Sequence, residues 1–179
     1  MEIHYQTGRQ KSKCCSDIKM TKHIKLTQGK VALVDDVDFE WLDQYKWFCD
    51  KTHSGYRAMR HNPTKNGKRK MVYMHREIMD ASSGIQVDHI NHSTLDNRRS
   101  NLRLCTNTEN TRNGRKRTNN TSGFKGVIWK KDHKKWAAQA TLNGKHHHLG
   151  YFDDVIKAAH AYDTFAHKHF GEFALLNFT

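Results

Sequence analysis

Val87-Asp88-His89-Ile90-Asn91-His92, Leu95-Asp96-Asn97-Arg98-Arg99-Ser100-Asn101-Leu102-Arg103-Leu104-Cys105-Thr106 and Asn107-Thr108-Glu109-Asn110 read in turn as a strand, a polar loop, a second strand and a helix start. A strand pair facing a helix can gather side chains from all three elements onto one spot. The candidates there are a carboxylate (Asp88), an imidazole (His89) and a carboxamide on the helix (Asn110). Asp and Asn oxygens are hard ligands suited to Mg²⁺, which binds through one or two protein groups plus phosphate and keeps several waters. Histidine, with an unperturbed pKa of about 6.5, can take a proton from water near neutral pH.

Upstream of this run, residues 1–19 have little periodicity and read as a disordered extension. From Met20 the pattern begins. Ile24 to Val34 alternates apolar residues around Gln28-Gly29, which predicts a hairpin. Asp36 to Tyr45 carries Phe39 and Leu42 at helical spacing, with Asp35 or Asp36 available as N-cap. Lys46–Cys49, Tyr56–Arg60 and Lys70–Tyr73 read as strands, the last two joined by a turn at Asn62-Pro63-Thr64-Lys65-Asn66-Gly67.

Downstream, Thr111 to Ser122 is basic, Asn-rich and without an apolar residue, so it cannot pack a core. It predicts an extended linker over 111–121, in which Arg112, Arg115, Lys116 and Arg117 would track a DNA strand. Three strands follow, at Phe124–Lys131, Trp136–Leu142 and His146–Phe152. Asn143-Gly144 joins the last two, and both of its residues tolerate positive φ. Asp153 or Asp154 then caps a helix with Val155, Ala159, Tyr162, Ala166 and Phe170 on one stripe, ended by Gly171. The whole is α+β: a unit over 20–110, the basic linker, and a sheet-plus-helix unit over 122–179.

Charge narrows the partners. Lys plus Arg number 31 against 18 Asp plus Glu, a formal net charge of +13, which points to a polyanion and to nucleic acid first. The signs are also separated along the chain. Asp35, Asp36, Asp38, Glu40, Asp43 and Asp50 cluster, whereas Ala58 to Arg76 holds no acid and carries Arg60, Lys65, Lys68, Arg69, Lys70 and Arg76. This predicts one phosphate-facing and one solvent-facing side. No apolar run approaches the roughly 18 residues of a membrane span, and residues 1–20 hold no signal-peptide core. Cys14, Cys15, Cys49 and Cys105 form no CxxC pair, which argues against a zinc ribbon or disulfide framework and for a reducing compartment.

Met74-His75-Arg76-Glu77, Val87-Asp88-His89-Ile90-Asn91, Asn97, Asn101-Leu102-Arg103 and Asn110 together resemble the HNH endonucleases, in particular their phage homing branch. The resemblance implies a ββα-metal nuclease fold acting on double-stranded DNA, with one Mg²⁺ (or Mn²⁺) per active site. It implies His89 as general base, Asp88 and Asn110 as metal ligands, and Asn101 as the central asparagine steadying loop and base. The spacings of 12 from His89 to Asn101 and 9 from Asn101 to Asn110 suit this branch. The last motif position is Asn rather than His, an H-N-N variant, which favours a hard cation over zinc. His75 with Arg76 reads either as a second basic contact to phosphate or as a packed helix-start histidine, in a supporting role outside catalysis.

Ser122 to Val127, Lys135 to Gln139, Leu149 to Asp153, Ala158 to Asp163 and the closing Leu176-Asn177-Phe178 resemble an AP2/ERF DNA-binding domain. That family lays its sheet in the major groove with the helix behind. The resemblance implies Lys125, Gly126, Ile128, Lys130, Gln139, Thr141, His146 and His148 as outward positions facing DNA. Ile128, Thr141 and the histidines depart from the plant pattern, so the plant recognition sequence does not carry over. In His146-His147-His148 the strand alternation sets His147 on the opposite face from its neighbours, poor geometry for a metal site. The combined reading is a site-specific endonuclease working in the cytoplasm of a phage's or mobile element's bacterial host. As a monomer it would nick; as a dimer it could cut both strands. The rival is a DNA-binding regulator with an inactive nuclease centre.

Overall fold

The computed structural model describes residues 20–52, 55–63 and 68–178. The expected extension over 1–19, and most of the turn after Asn62-Pro63, lie outside them. Strands β1 (Thr21–Lys25) and β2 (Val31–Asp35) form the first hairpin around Gln28-Gly29, both at positive φ. Helix α1 (Asp36–Leu42) follows directly, with Asp35 at the N-cap position but making no side-chain cap. Strands β3 (Phe48–Thr52), β4 (Gly55–Pro63) and β5 (Arg69–Tyr73) make an antiparallel sheet in that order. Helix α2 (Met74–Ile78) leads to the strand pair β6 (Gln86–His89) and β7 (Leu102–Cys105) and to helix α3 (Asn107–Asn113). Ile24, Val34, Leu42, Trp47, Met74, Val87 and Leu102 share one core, so the hairpin, both early helices and the β6–β7 pair are packed as a unit.

The expectation of a solvent-facing acidic side holds for Glu40, Asp43 and Asp50, which are exposed, and is corrected for two members of the cluster. Asp35 and Asp38 are buried. Arg99 forks onto the Asp38 carboxylate at 2.7 and 2.8 Å, and its backbone N–H donates to Asp35 at 2.8 Å. Two carboxylates of the first hairpin and helix therefore anchor the loop between β6 and β7. Backbone bonds between Leu33 and both Leu95 and Asn97 lay that loop along the edge of β2.

The expected linker also begins later. Helix α3 runs through Asn113, because Thr106 and Glu109 form a reciprocal capping box at its start. The Lys125 ammonium donates to the carbonyls of Arg112 and Gly114 at its end, where cations satisfy orphan acceptors. Arg112 stacks over Phe170, 4.9 Å from the ring centre, so it docks the C-terminal unit instead of hanging free.

In that unit β8 (Val127–Lys130), β9 (Lys135–Leu142) and β10 (Lys145–Phe152) form an antiparallel sheet backed by α4 (Val155–Phe170). Asp154 caps α4, accepting from Ile156 N–H at 2.6 Å. Asn143 and Gly144 have φ of 50° and 75°, as the two-residue turn requires. Ala158, Ala159, Tyr162, Ala166 and Phe170 face the sheet and build a second core. Gly126 has φ +74°, and a Cβ there would stand 2.0 Å from the Tyr162 ring, so close helix packing dictates this glycine. Asp163 accepts from the N–H groups of Asn177 and Phe178 and latches the C-terminal tail.

Candidate active site

Asp88 and His89 end β6, and both are buried at the floor of a cavity. Asp88 pairs across the ladder with Arg103 of β7, whose Nε and Nη2 donate to Oδ2 at 2.9 and 2.7 Å. Asn113 Nδ2 lies 3.0 and 2.8 Å from the same carboxylate. Asn110 stands one turn earlier on α3 and lines the cavity. The two asparagines are three residues apart, hence on one helical face.

His89 Nε2 lies 3.2 Å from Asn97 Oδ1. Asn97 is fully buried and turns its Nδ2 toward Leu95 O and Met74 Sδ, which leaves its oxygen for the histidine. That assigns the proton to Nε2 and leaves the lone pair on Nδ1. Burial lowers the His89 pKa from 6.5, against opposing effects of the Asn97 hydrogen bond and the Asp88 charge. The imidazole is therefore neutral at pH 7. His75 packs edge-on against it with ring centres 5.2 Å apart. Burial, His89, Arg57 and Arg76 hold His75 down at about 3. A neutral His75 cannot act as a cationic phosphate contact. Arg76 donates to the carbonyls of Ile85, Ala81 and Ser82, which fits the supporting role.

Asn101 holds the loop. Its Oδ1 accepts from Asn91 N–H at 3.0 Å and its Nδ2 donates to Asp96 O at 2.7 Å. Asp96 in turn accepts from Arg98 and Asn91, and these bonds lower its pKa. Asn101 thus acts on the loop, with no bond of its own to His89 among the described residues.

The rim of the cavity is basic. Arg57 of β4 and Arg115, Lys116 and Arg117 line it, and Asp88 is the one acid among its described lining residues. Of the four linker cations, three therefore sit beside Asp88 and His89, whereas Arg112 does not.

The positions of the C-terminal unit expected to face DNA divide. Register pairs Ile128 with Ala137, Lys130 with Lys135, His146 with Thr141 and His148 with Gln139, which sets those six predicted residues on the sheet face away from α4. His146 Nε2 lies 3.1 Å from Gln139 Oε1, and His147 turns to the opposite face against Phe165. Lys125 and Gly126 are elsewhere. The Lys125 ammonium is partly buried on α3, with burial lowering its pKa to about 8, and Gly126 packs on Tyr162.

A family model described as HNH endonuclease matches residues 73–112. The chain is also 31% identical over 150 residues to an uncharacterised HNH endonuclease of Acanthamoeba polyphaga mimivirus, covering 84% of this chain and 76% of that protein. The chain belongs to the HNH endonuclease family. It is likewise similar to Protein 3.8 of Escherichia phage T7, 33% identical over 105 residues, which cover 56% of this chain and 86% of the phage protein. No solved structure gives a significant match.

Three residues of this HNH endonuclease site had no role assigned from sequence. Asn97 and Arg103 stood in the motif run, and only the fold shows which partner each meets. Asn113 was readable as the position one helical turn beyond Asn110, but the expected linker hid it.

Among the described residues no cluster of three His, Cys, Asp or Glu is suited to a metal. A carboxylate with neighbouring carboxamides is instead a sparse, hard-oxygen donor set, which fits Mg²⁺ or Mn²⁺ completed by substrate phosphate. It does not fit zinc.

Proposed function

We propose that this chain is a divalent-metal-dependent DNA endonuclease that cuts at a specific site, in the manner of a homing endonuclease. The observation that carries this reading is one cavity holding Asp88 and His89 at its floor and Arg57, Arg115, Lys116 and Arg117 at its rim. A neutral buried base beside a sparse hard-ligand site, ringed by cations, suits a phosphodiester better than a neutral substrate.

Asp88 and Asn110 would hold the cation, with Arg103 and Asn113 orienting the carboxylate. A divalent cation bound there stabilises charge on the phosphate and on the leaving 3′ oxygen. His89 Nδ1 takes the proton from the attacking water, while Asn97 fixes the ring. Arg57 and the linker cations hold the phosphates on either side. The products are 5′-phosphate and 3′-hydroxyl ends. A single centre in a monomer nicks; cleavage of both strands needs a second copy.

The C-terminal unit is proposed as the sequence reader, similar to an AP2/ERF domain. Support comes from the three-stranded sheet on one helix and from the shared outward face of Ile128, Lys130, Gln139, Thr141, His146 and His148. Gln139 can pair bidentately with adenine in the major groove. Such an enzyme would act where phage or mobile DNA is found, in the bacterial cytoplasm. No described helix is long and apolar enough to cross a membrane.

The regulator reading draws on one observation, that Arg103 and Asn113 already occupy both Asp88 oxygens. Supercoiled plasmid incubated with the protein in Mg²⁺ or EDTA separates the two. Nicked product in Mg²⁺ alone supports the nuclease; binding without nicking in both supports the regulator.

A further inference from the structure

The acid-free stretch noted in the sequence forms a structure of its own. Strand β3 covers β4 only from Gly55 to Met59. Beyond that point β4 pairs with β5 alone, through Arg60–Val72, His61–Met71, Asn62–Lys70 and Pro63–Arg69. Burial changes at the same place. Ala58, Met59 and Arg60 are buried, but His61, Asn62, Pro63, Arg69, Lys70 and Met71 are all exposed. The sheet thus ends in a two-stranded ribbon with both faces in solvent.

A bare ribbon of this kind is marginally stable in water unless something packs on it. Its composition indicates what. No acid lies on the described ribbon beyond Met59, and Arg69 and Lys70 take part in no ion pair between described residues. Strand alternation puts Arg57, His61, Met71, Arg69 and Tyr73 on one face. Arg57 and Tyr73 line the active-site cavity, so along β5 that face runs from the cavity rim to the ribbon. Asp50 stands opposite Arg57 at the root.

We propose that the β4–β5 ribbon is a second DNA-binding arm, seated on the duplex beside the scissile phosphate. This rests on the nuclease reading and adds a contact region to it. A two-stranded ribbon fits the major groove. Arg69 is four residues from Tyr73, about 14 Å at the rise of an antiparallel strand. At about 3.4 Å per nucleotide along one strand, it meets the backbone roughly four nucleotides from the cut.

The test compares the full chain with R69A/K70A and with R69K/K70R. Binding to a linear duplex carrying the mapped cut site is measured in EDTA over a salt series, with hydroxyl-radical footprints. Arg69 lies on the face turned to DNA and Lys70, opposite Asn62, on the other, so one lost phosphate contact flattens the log K against log salt slope by about 0.9. A fourfold rise in salt then weakens the wild type about 3.5-fold more than R69A/K70A. Protection about four nucleotides from the cut disappears, and R69K/K70R keeps slope and footprint because a phosphate contact needs only the charge. An unchanged slope and footprint in R69A/K70A overturns the arm while leaving the nuclease intact. Loss of the slope in R69K/K70R as well overturns it too, by showing that the fold rather than the charge was altered. A wild type that gives no Mg²⁺-dependent cut to map removes the arm and the nuclease reading together.

Discussion

Arg103→Ala isolates the ion pair at the centre of the site. The Asp88 and Arg103 side chains are 7% and 10% exposed, so this is a buried pair, unlike an exposed one worth at most about 1 kcal/mol. Removing one partner leaves a buried carboxylate uncompensated, at a cost of about 3–5 kcal/mol. At about 2–4 °C per kcal/mol for a chain of this size, Tm falls by roughly 10 °C. Arg103 also lies over Phe173 and donates to Glu172 O, so part of any loss could come from the docked C-terminal unit. The double variant D88N/R103A separates the two, because a neutral amide needs no counter-charge. It recovers most of the loss if the pair dominates. Mg²⁺ gives a second reading. With the guanidinium gone, the cation is the remaining counter-charge for Asp88, and a hundredfold excess over Kd stabilises by about 2.7 kcal/mol. Mg²⁺ therefore raises the Tm of Arg103→Ala more than that of the wild type. Thermal unfolding followed by circular dichroism, with Mg²⁺ or EDTA, measures all four quantities. A Tm within about 2 °C of wild type, with no added Mg²⁺ response, refutes the reasoning.

The linker cations at the cavity rim give a separate prediction. R115A/K116A/R117A flattens the salt slope of DNA binding by about 2.7 and leaves the preferred sequence unchanged, read by competition binding. Arg112→Ala lowers stability instead, because its guanidinium packs on Phe170. Asn110→Ala raises the Mg²⁺ concentration for half-maximal cleavage; an unaltered metal titration removes Asn110 from the ligand set. The acid limb of single-turnover cleavage lies below pH 6.5, because His89 must be neutral to act and burial lowers its pKa from that value. A limb centred above pH 7 contradicts that assignment.

Local signals carried most of the C-terminal unit, although β8 begins at Val127 and not at the expected Phe124. Asn143-Gly144, the α4 stripe and the Asp154 cap are short-range features, and each appears in the fold where its spacing predicts. The β6–loop–β7–α3 order was legible for the same reason. What stayed hidden is long-range. Arg99 reaches Asp38 across 61 residues, and nothing local in the acidic cluster distinguishes an anchoring carboxylate from a solvated one. The end of α3 was misplaced because a polar, basic segment has no hydrophobic period. Lys125 caps it from 13 residues beyond Arg112 and Phe170 receives Arg112, both contacts of the folded state. Asp88 and His89 stood out in the sequence because the run through Asn101-Leu102-Arg103 and Asn110 lies behind them; which partners they meet, Arg103, Asn113 and Asn97, required the ladder and the helix to be in place.

His89→Ala, compared with wild type in single-turnover cleavage and in binding of the same duplex, tests the central assignment most directly. If His89 Nδ1 is the base, cleavage in Mg²⁺ falls at least about a hundredfold, the low end for loss of a general base. DNA affinity stays within about twofold, because a neutral imidazole adds no phosphate-neutralising charge. Cleavage by His89→Ala at a rate near wild type would contradict the account.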